Sequence, residues 1–265
     1  MKKNFDHIIT AKNLSIGYVT QKNTTCIASS LSINLPKGKL VCLLGANGIG
    51  KSTLLRTLTK VQPKLAGEIY IKGKPLNSLS NIDLSKLLSL VLTERLPDSN
   101  LTVFELVALG RQPYTNWLGK LSNTDLNIIH KAFEQTNTTS LMNSKYYELS
   151  DGQLQKVLIA RALAQNTDLI ILDEPTAHLD IHHTIETFSL LKSLVEKFNK
   201  TIVVSTHEIN LALQLADMLW LMSPNEFTEG QTNELINKNK LNHLFDSKLI
   251  SFNKTLKQFT ITNSQ

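Results

Sequence analysis

The chain has 265 residues, 42% hydrophobic and 19% charged, with 11 Gly and 7 Pro: enough apolar side chain for a buried core and too little Gly and Pro for a collagen-like or low-complexity chain. No apolar run approaches the roughly 18 residues that a membrane-crossing helix needs, and the basic start, residues 1–7, has no apolar stretch after it, so neither a span nor a secretory signal is expected and the cytosol is the default location. The net charge of +6 permits attraction to nucleic acid or an anionic membrane, but only Arg56, Arg95, Arg111 and Arg161 carry the guanidinium fork on which base reading leans, which argues against sequence-specific DNA binding. Cys26 and Cys42 form no disulfide framework and read as reduced.

In chain order, residues 14–18 and 27–35 alternate enough for antiparallel strands. Residues 40–44 are continuously apolar between Lys37-Gly38-Lys39 and Gly45, as in a strand buried on both faces. Leu54, Leu55 and Leu58 follow at helical spacing, and Pro63 and Gly67 punctuate the exit, so a strand, a glycine turn and a helix succeed one another. Residues 67–73 read as a further strand of a small antiparallel layer. From about residue 96 to 148 the spacing turns helical, with Val103, Leu106, Val107 and Leu109, then Leu126, Ile129, Ala132 and Phe133. An amphipathic helix over residues 154–164 is capped by Ser150 and Asp151. Residues 168–173 and 201–206 are further buried strands around a helix over 182–198, the βαβ pattern of a parallel sheet. Beyond residue 225 the chain is polar, with apolar clusters at 241–245 and 259–261 and no readable motif.

Gly45-Ala46-Asn47-Gly48-Ile49-Gly50-Lys51-Ser52-Thr53 fits G-x-x-x-x-G-K-[ST], the phosphate loop, placed between a buried strand and a helix as the mechanism demands. The glycines let backbone N–H groups wrap phosphates, the helix N-terminus adds partial positive charge, Lys51 supplies a point charge, and the Ser52 hydroxyl holds Mg²⁺. Asp173 and Glu174 close a buried strand, where an acidic pair is costly unless it faces a cation or a reacting group. Beside a phosphate loop, Asp173 suits Mg²⁺ and Glu174 the orientation or deprotonation of an attacking water.

Leu149-Ser150-Asp151-Gly152-Gln153 precedes the acidic strand end, and at this point the chain resembles the ATP-binding subunit of ABC transporters, over about residues 10 to 225. The resemblance implies an α/β fold: a P-loop NTPase cassette with a parallel core sheet, an antiparallel β layer and a helical subdomain. The core would span about residues 8–93 and 149–224, the helical subdomain about 94–148 and a C-terminal tail about 225–265. It implies ATP and Mg²⁺ as ligands and gives further residues their roles. Tyr18 would stack on adenine. Ser150, Gly152 and Gln153 would be the signature, Ala177-His178-Leu179-Asp180 the D-loop, and His207 the switch histidine at the γ-phosphate. Glu186, His182 and His183 invite a metal-site reading, but on the helix after the D-loop they are expected to be surface.

Two positions depart from the family pattern. Glu94 stands where a Gln usually follows a core strand; its oxygen can still reach Mg²⁺ but adds charge beside triphosphate. Asp151 stands where the signature usually has Gly. ATP use is expected to survive both. One phosphate loop and one signature make the chain a half-site, so a second copy would complete it head to tail, with the signature helix of one meeting the γ-phosphate held by the other.

The run from Leu101 to Gly119, including Gly110-Arg111-Gln112-Pro113-Tyr114, is similar to the importer branch for iron chelates: siderophores, haem and cobalamin. That resemblance implies integral membrane permease subunits and a substrate-binding protein as companions, no nucleic acid, and a peripheral place on the cytoplasmic face of the cell membrane. The alternatives are an ABC importer for a metal ion or small nutrient and, further off, a soluble ABC ATPase acting on DNA or ribosomes. The chain carries neither the long coiled-coil insertion nor the fused second cassette usual in that last class.

Overall fold

The computed structural model describes residues 6–21, 23–92, 99–224, 226–244, 250–254 and 256–261. Two long antiparallel strands, β1 (His7–Val19) and β2 (Thr24–Pro36), open the chain. Both outrun the stretches that alternation predicts, because register shifts between Ala11 and Leu14 and again around Ile16 break the period of two in which a strand is read. β3 (Leu40–Gly45) leads into α1 (Lys51–Leu58). After them come β4 (Ala66–Ile71), β5 (Lys74–Pro75), α2 (Asn81–Ser85) and β6 (Leu88–Val91). β1, β2, β4 and β5 form one antiparallel sheet in the order β2-β1-β4-β5.

Three helices with reciprocal side-chain caps follow: α3 (Val103–Ala108) capped by Thr102 and Glu105, α4 (Asn123–Thr136) by Ser122 and Asp125, and α5 (Asp151–Ala164) by Ser150 and Gln153. α5 thus starts three residues before its amphipathic pattern becomes readable, which places Gly152 and Gln153 in its first turn. A 3₁₀ turn at Leu109–Tyr114 delivers Arg111 into the interior. Its Nε donates to Asp125 Oδ1 at 2.8 Å, its Nη1 donates to the Ala164 carbonyl at 2.8 Å, and its guanidinium lies 4.0 Å from the Tyr114 ring centroid. One side chain therefore ties the turn to both α4 and α5. The Asp125 carboxyl is held below its ordinary range, chiefly by the Ser122 hydroxyl and backbone and then by Arg111. Its contribution is thus full above the usual carboxylate pKa and is lost as the pH falls through the depressed one. Arg111→Ala leaves a buried acid without its cation, which should cost about 3–5 kcal/mol, or roughly 6 °C or more in melting temperature. Differential scanning calorimetry of the variant checks this, and an unchanged melting temperature contradicts it.

The second half supplies β7 (Leu169–Asp173), α6 (Ile181–Phe198), β8 (Thr201–Ser205), α7 (Ile209–Leu215), β9 (Met218–Met222) and β10 (Phe227–Gln231). With β3 and β6 they build a six-stranded sheet in the order β10-β9-β3-β8-β7-β6, parallel except for β10. Every residue of β3, β7 and β8 is buried, and successive side chains serve opposite faces. Leu40, Cys42, Leu44, Ile170, Leu172, Ile202 and Val204 join the core under the helices, while Val41, Leu43, Leu169, Ile171 and Val203 join the core under the antiparallel sheet. Burial pushes the Cys42 thiol far above its ordinary range, so it stays protonated.

α8 (Thr232–Asn237) and a hairpin of β11 (Ile250–Asn253) and β12 (Gln258–Ile261) complete the described chain. Phe252 and Phe259 meet in a tilted pair with ring centroids 5.2 Å apart and pack on the core, and the Phe259 N–H donates to Asn210 Oδ1 on α7 at 3.2 Å. The polar tail thus contains ordered structure leaning on the helix that follows His207.

Candidate functional site

The C-terminal ends of the central parallel strands converge on one place. β3 ends at Gly45, and the loop re-enters as α1 with Gly50 at its N-cap in a left-handed conformation, φ 108°. Gly48 is also left-handed, at φ 74°, and nothing lies within 4 Å of the place a Cβ would occupy, so the loop opens a space that successive N–H groups can line. Lys51 is buried, yet its ammonium is not lost in apolar surroundings. Its Nζ donates to the carbonyls of Gly45 at 3.1 Å and Ala46 at 3.3 Å and lies 3.6 Å from Glu174 Oε1. Burial lowers the Lys51 pKa, and the Glu174 carboxylate opposes that shift.

Beside it, the Ser52 hydroxyl donates to Asp173 Oδ1 at 3.0 Å, and the Ser205 hydroxyl is 2.7 Å from the same oxygen. Asp173 and Ser205 are partners in the ladder between β7 and β8, which is why a serine at that strand end meets the acid. Ser205 Oγ also accepts the Glu174 N–H at 2.8 Å, and Glu174 itself sits in the left-handed region at φ 46°. A glutamate is strained there, and the bond from its N–H to Ser205 Oγ helps to hold it. The turn aims the Glu174 carboxylate at His207, whose Nε2 is 2.7 Å from Glu174 Oε1 and 3.3 Å from Lys51 Nζ. That nitrogen can donate to the carboxylate or accept from the ammonium, not both, so the proton on His207 selects the partner. Tyr18, half exposed at the end of β1, joins the cluster through its hydroxyl, 2.8 Å from Thr53 Oγ1.

Tyr18, Gly45, Asn47, Gly48, Gly50, Lys51, Ser52, Thr53, Asp173, Glu174 and His207 are therefore drawn around one loop. Ser150, Gly152, Gln153 and Asp180 form a second group. Ser150 accepts the Gln153 N–H at 3.3 Å, and Gln153 Oε1 accepts the Ser150 N–H at 3.0 Å, which orders the first turn of α5. Asp180 caps α6 by accepting the His183 N–H at 2.8 Å. Glu94 lies outside the described residues. Ser205 was missed in the sequence, because nothing local to a strand-end serine announces its partner Asp173, and His183, expected to be ordinary surface, is half-buried with its ring against Gly152.

A buried strand, a left-handed glycine loop, a buried lysine at a helix start and two acids at the neighbouring strand end define a phosphate-binding site of the P-loop class. Residues 28–177 match the family model described as ABC transporter. The chain belongs to that family. It is 35% identical to the iron(3+)-hydroxamate import ATP-binding protein FhuC of Bacillus subtilis, over 96% of this chain and 94% of the relative. It is 37% identical to the achromobactin transport ATP-binding protein CbrD of Dickeya dadantii, over 90% and 87%. Among solved structures, an inward-facing metal-chelate type ABC transporter matches with TM-score 0.78 and 28% identity, covering 96% of this chain and 95% of that one. A dimeric bacterial ABC transporter cassette matches with TM-score 0.73 and 29% identity, covering 84% and 98%.

Proposed function

We propose that the chain is the ATP-hydrolysing subunit of an importer for an iron chelate (a siderophore or haem) or cobalamin, seated on the cytoplasmic face of the cell membrane beneath integral permease subunits fed by a substrate-binding protein. The observation that carries the chemistry is the buried Lys51 ammonium held between the loop carbonyls and the Glu174–His207 pair. The cargo class is supported by relatives named for achromobactin transport and iron(3+)-hydroxamate import. No helix among the described residues is long and apolar enough to cross a membrane. The core would comprise about residues 8–93 and 149–224, the permease-facing helical subdomain about 94–148 and the tail about 225–265.

In this reading the N–H groups from Gly45 to Thr53, with Asn47, Gly48 and Gly50, wrap the triphosphate, Lys51 neutralises it, and Tyr18 stacks on adenine while Thr53 holds its hydroxyl. Ser52 and Asp173 are hard oxygen donors already brought together, a set that fits Mg²⁺, and Glu94 would add a third oxygen. When bound, Mg²⁺ would neutralise charge on the phosphates. Glu174 takes the proton of the attacking water. His207 steadies the Glu174 carboxylate and reaches the γ-phosphate. Ser150, Gly152 and Gln153 present the N-terminus of α5, an anion receptor, to the γ-phosphate held by a second copy, and Asp180 lines the same junction.

The test is uptake of ⁵⁵Fe-loaded siderophore, ⁵⁵Fe-haem and ⁵⁷Co-cobalamin by source cells lacking the gene and complemented with it. Restored uptake of one of the three supports the reading. Uptake of all three at the level of the parent cells without complementation contradicts it.

A further inference from the structure

One imidazole joins the D-loop to the signature of the same chain. Gly152 lies in the first turn of α5, and a Cβ built on it would stand 2.2 Å from His183 Cδ2, 2.6 Å from Cγ and 2.9 Å from Nε2. Only a residue without a side chain lets the ring lie there, which gives this glycine a reason internal to the subunit. The other side of the ring faces Asp180: His183 Nδ1 is 2.9 Å from each carboxylate oxygen, and the His183 N–H donates to Oδ1 at 2.8 Å. The Asp180 carboxyl is held below its usual range by these contacts, the backbone bond first.

Asp180, His182 and His183 also bring donor atoms within 4.8 Å of one another, a spacing open to a divalent cation. Three features argue against that use. Both Asp180 oxygens are engaged by His183, the His183 ring is packed on Gly152, and the 18-residue helix α6 presents its positive end at this point.

We propose that His183 is a positioning residue: packed on Gly152 and bonded to Asp180, it makes the signature turn and the D-loop carboxylate move as one unit when a second copy's nucleotide engages the signature. The proposal rests on the ATPase reading above. His183 acts through its neighbours, touching neither phosphate nor attacking water. Its effect therefore falls on closure of the paired cassettes, while ATP binding to the phosphate loop of a single chain is left intact.

The experiment compares Gly152→Ala, His183→Ala, His183→Asn and the Gly152→Ala/His183→Ala double variant in maximal ATPase rate, ATP-driven dimerisation and ATP affinity of the monomer. His183→Ala should lower the maximal rate and dimerisation about tenfold with monomer affinity changed less than about twofold, since the lost contact biases only the closed pair. His183→Asn, whose amide can still donate to Asp180, should retain most of the rate. Gly152→Ala should lose about tenfold or more, because the new methyl overlaps the ring, and the double variant should lose less than the product of the two single losses, because the clash goes with the ring. A double variant slower by the product of the two single losses, a wild-type rate for His183→Ala, or equal losses for His183→Ala and His183→Asn each overturns the proposal. An inactive wild-type chain would overturn the ATPase reading and with it this one, so the two failures are told apart.

Discussion

Glu174→Gln should lower ATP turnover by about 10²–10⁴-fold, the usual contribution of a positioned general base, while ATP still binds. The amide keeps the shape of the carboxylate and its reach to His207, 2.7 Å away in the native chain, but cannot take a proton from water. The backbone that aims it is untouched, because the Glu174 N–H bonds to Ser205 Oγ and the left-handed turn at φ 46° is set by the strand ends. With hydrolysis blocked and binding intact, ATP should trap two copies together. Phosphate release and size-exclusion chromatography with and without ATP check both halves. A wild-type rate contradicts the role given to Glu174, and a slow monomer contradicts the pairing.

Lys51→Ala should act earlier, on affinity. A hydrogen bond to a charged group is worth about 1.5–3 kcal/mol, so ATP binding should weaken by roughly 10- to 150-fold. In the native chain the ammonium is buried, held by the Gly45 and Ala46 carbonyls and paired with Glu174, so its charge is already aimed at the loop before nucleotide arrives. The glycines that shape the loop remain in the variant, so the loss is chiefly of charge. Calorimetric titration with ATP measures it; unchanged affinity with a reduced rate would move Lys51 from binding to the chemical step.

The strands buried on both faces were legible as apolar runs: the run at 40–44 became β3, that at 168–173 became β7, and that at 201–206 became β8. The phosphate loop and the Asp173-Glu174 strand end were legible because each joins a motif to a change in period. β1 and β2 were only partly legible, since bulges destroy alternation where pairing continues. Ser205 and His183 were not legible because their partners, Asp173 and Gly152, are 32 and 31 residues away in the chain, and a serine at a strand end or a histidine on a helix carries no pattern of its own. The hairpin of β11 and β12 escaped because two short strands in an Asn- and Lys-rich tail owe their order to Phe252 and Phe259 finding the core.

A cassette that powers a membrane importer travels with its permease. Tagged Glu174→Gln chain is recovered with ATP from detergent-solubilised membranes of its source cell, and what comes with it is weighed by mass spectrometry. A polytopic membrane protein in equal amount to the cassette, retained in an ATP-dependent manner, is the expected result. Recovery of ribosomal proteins or DNA-bound factors in place of a permease would contradict it while leaving the ATPase chemistry standing.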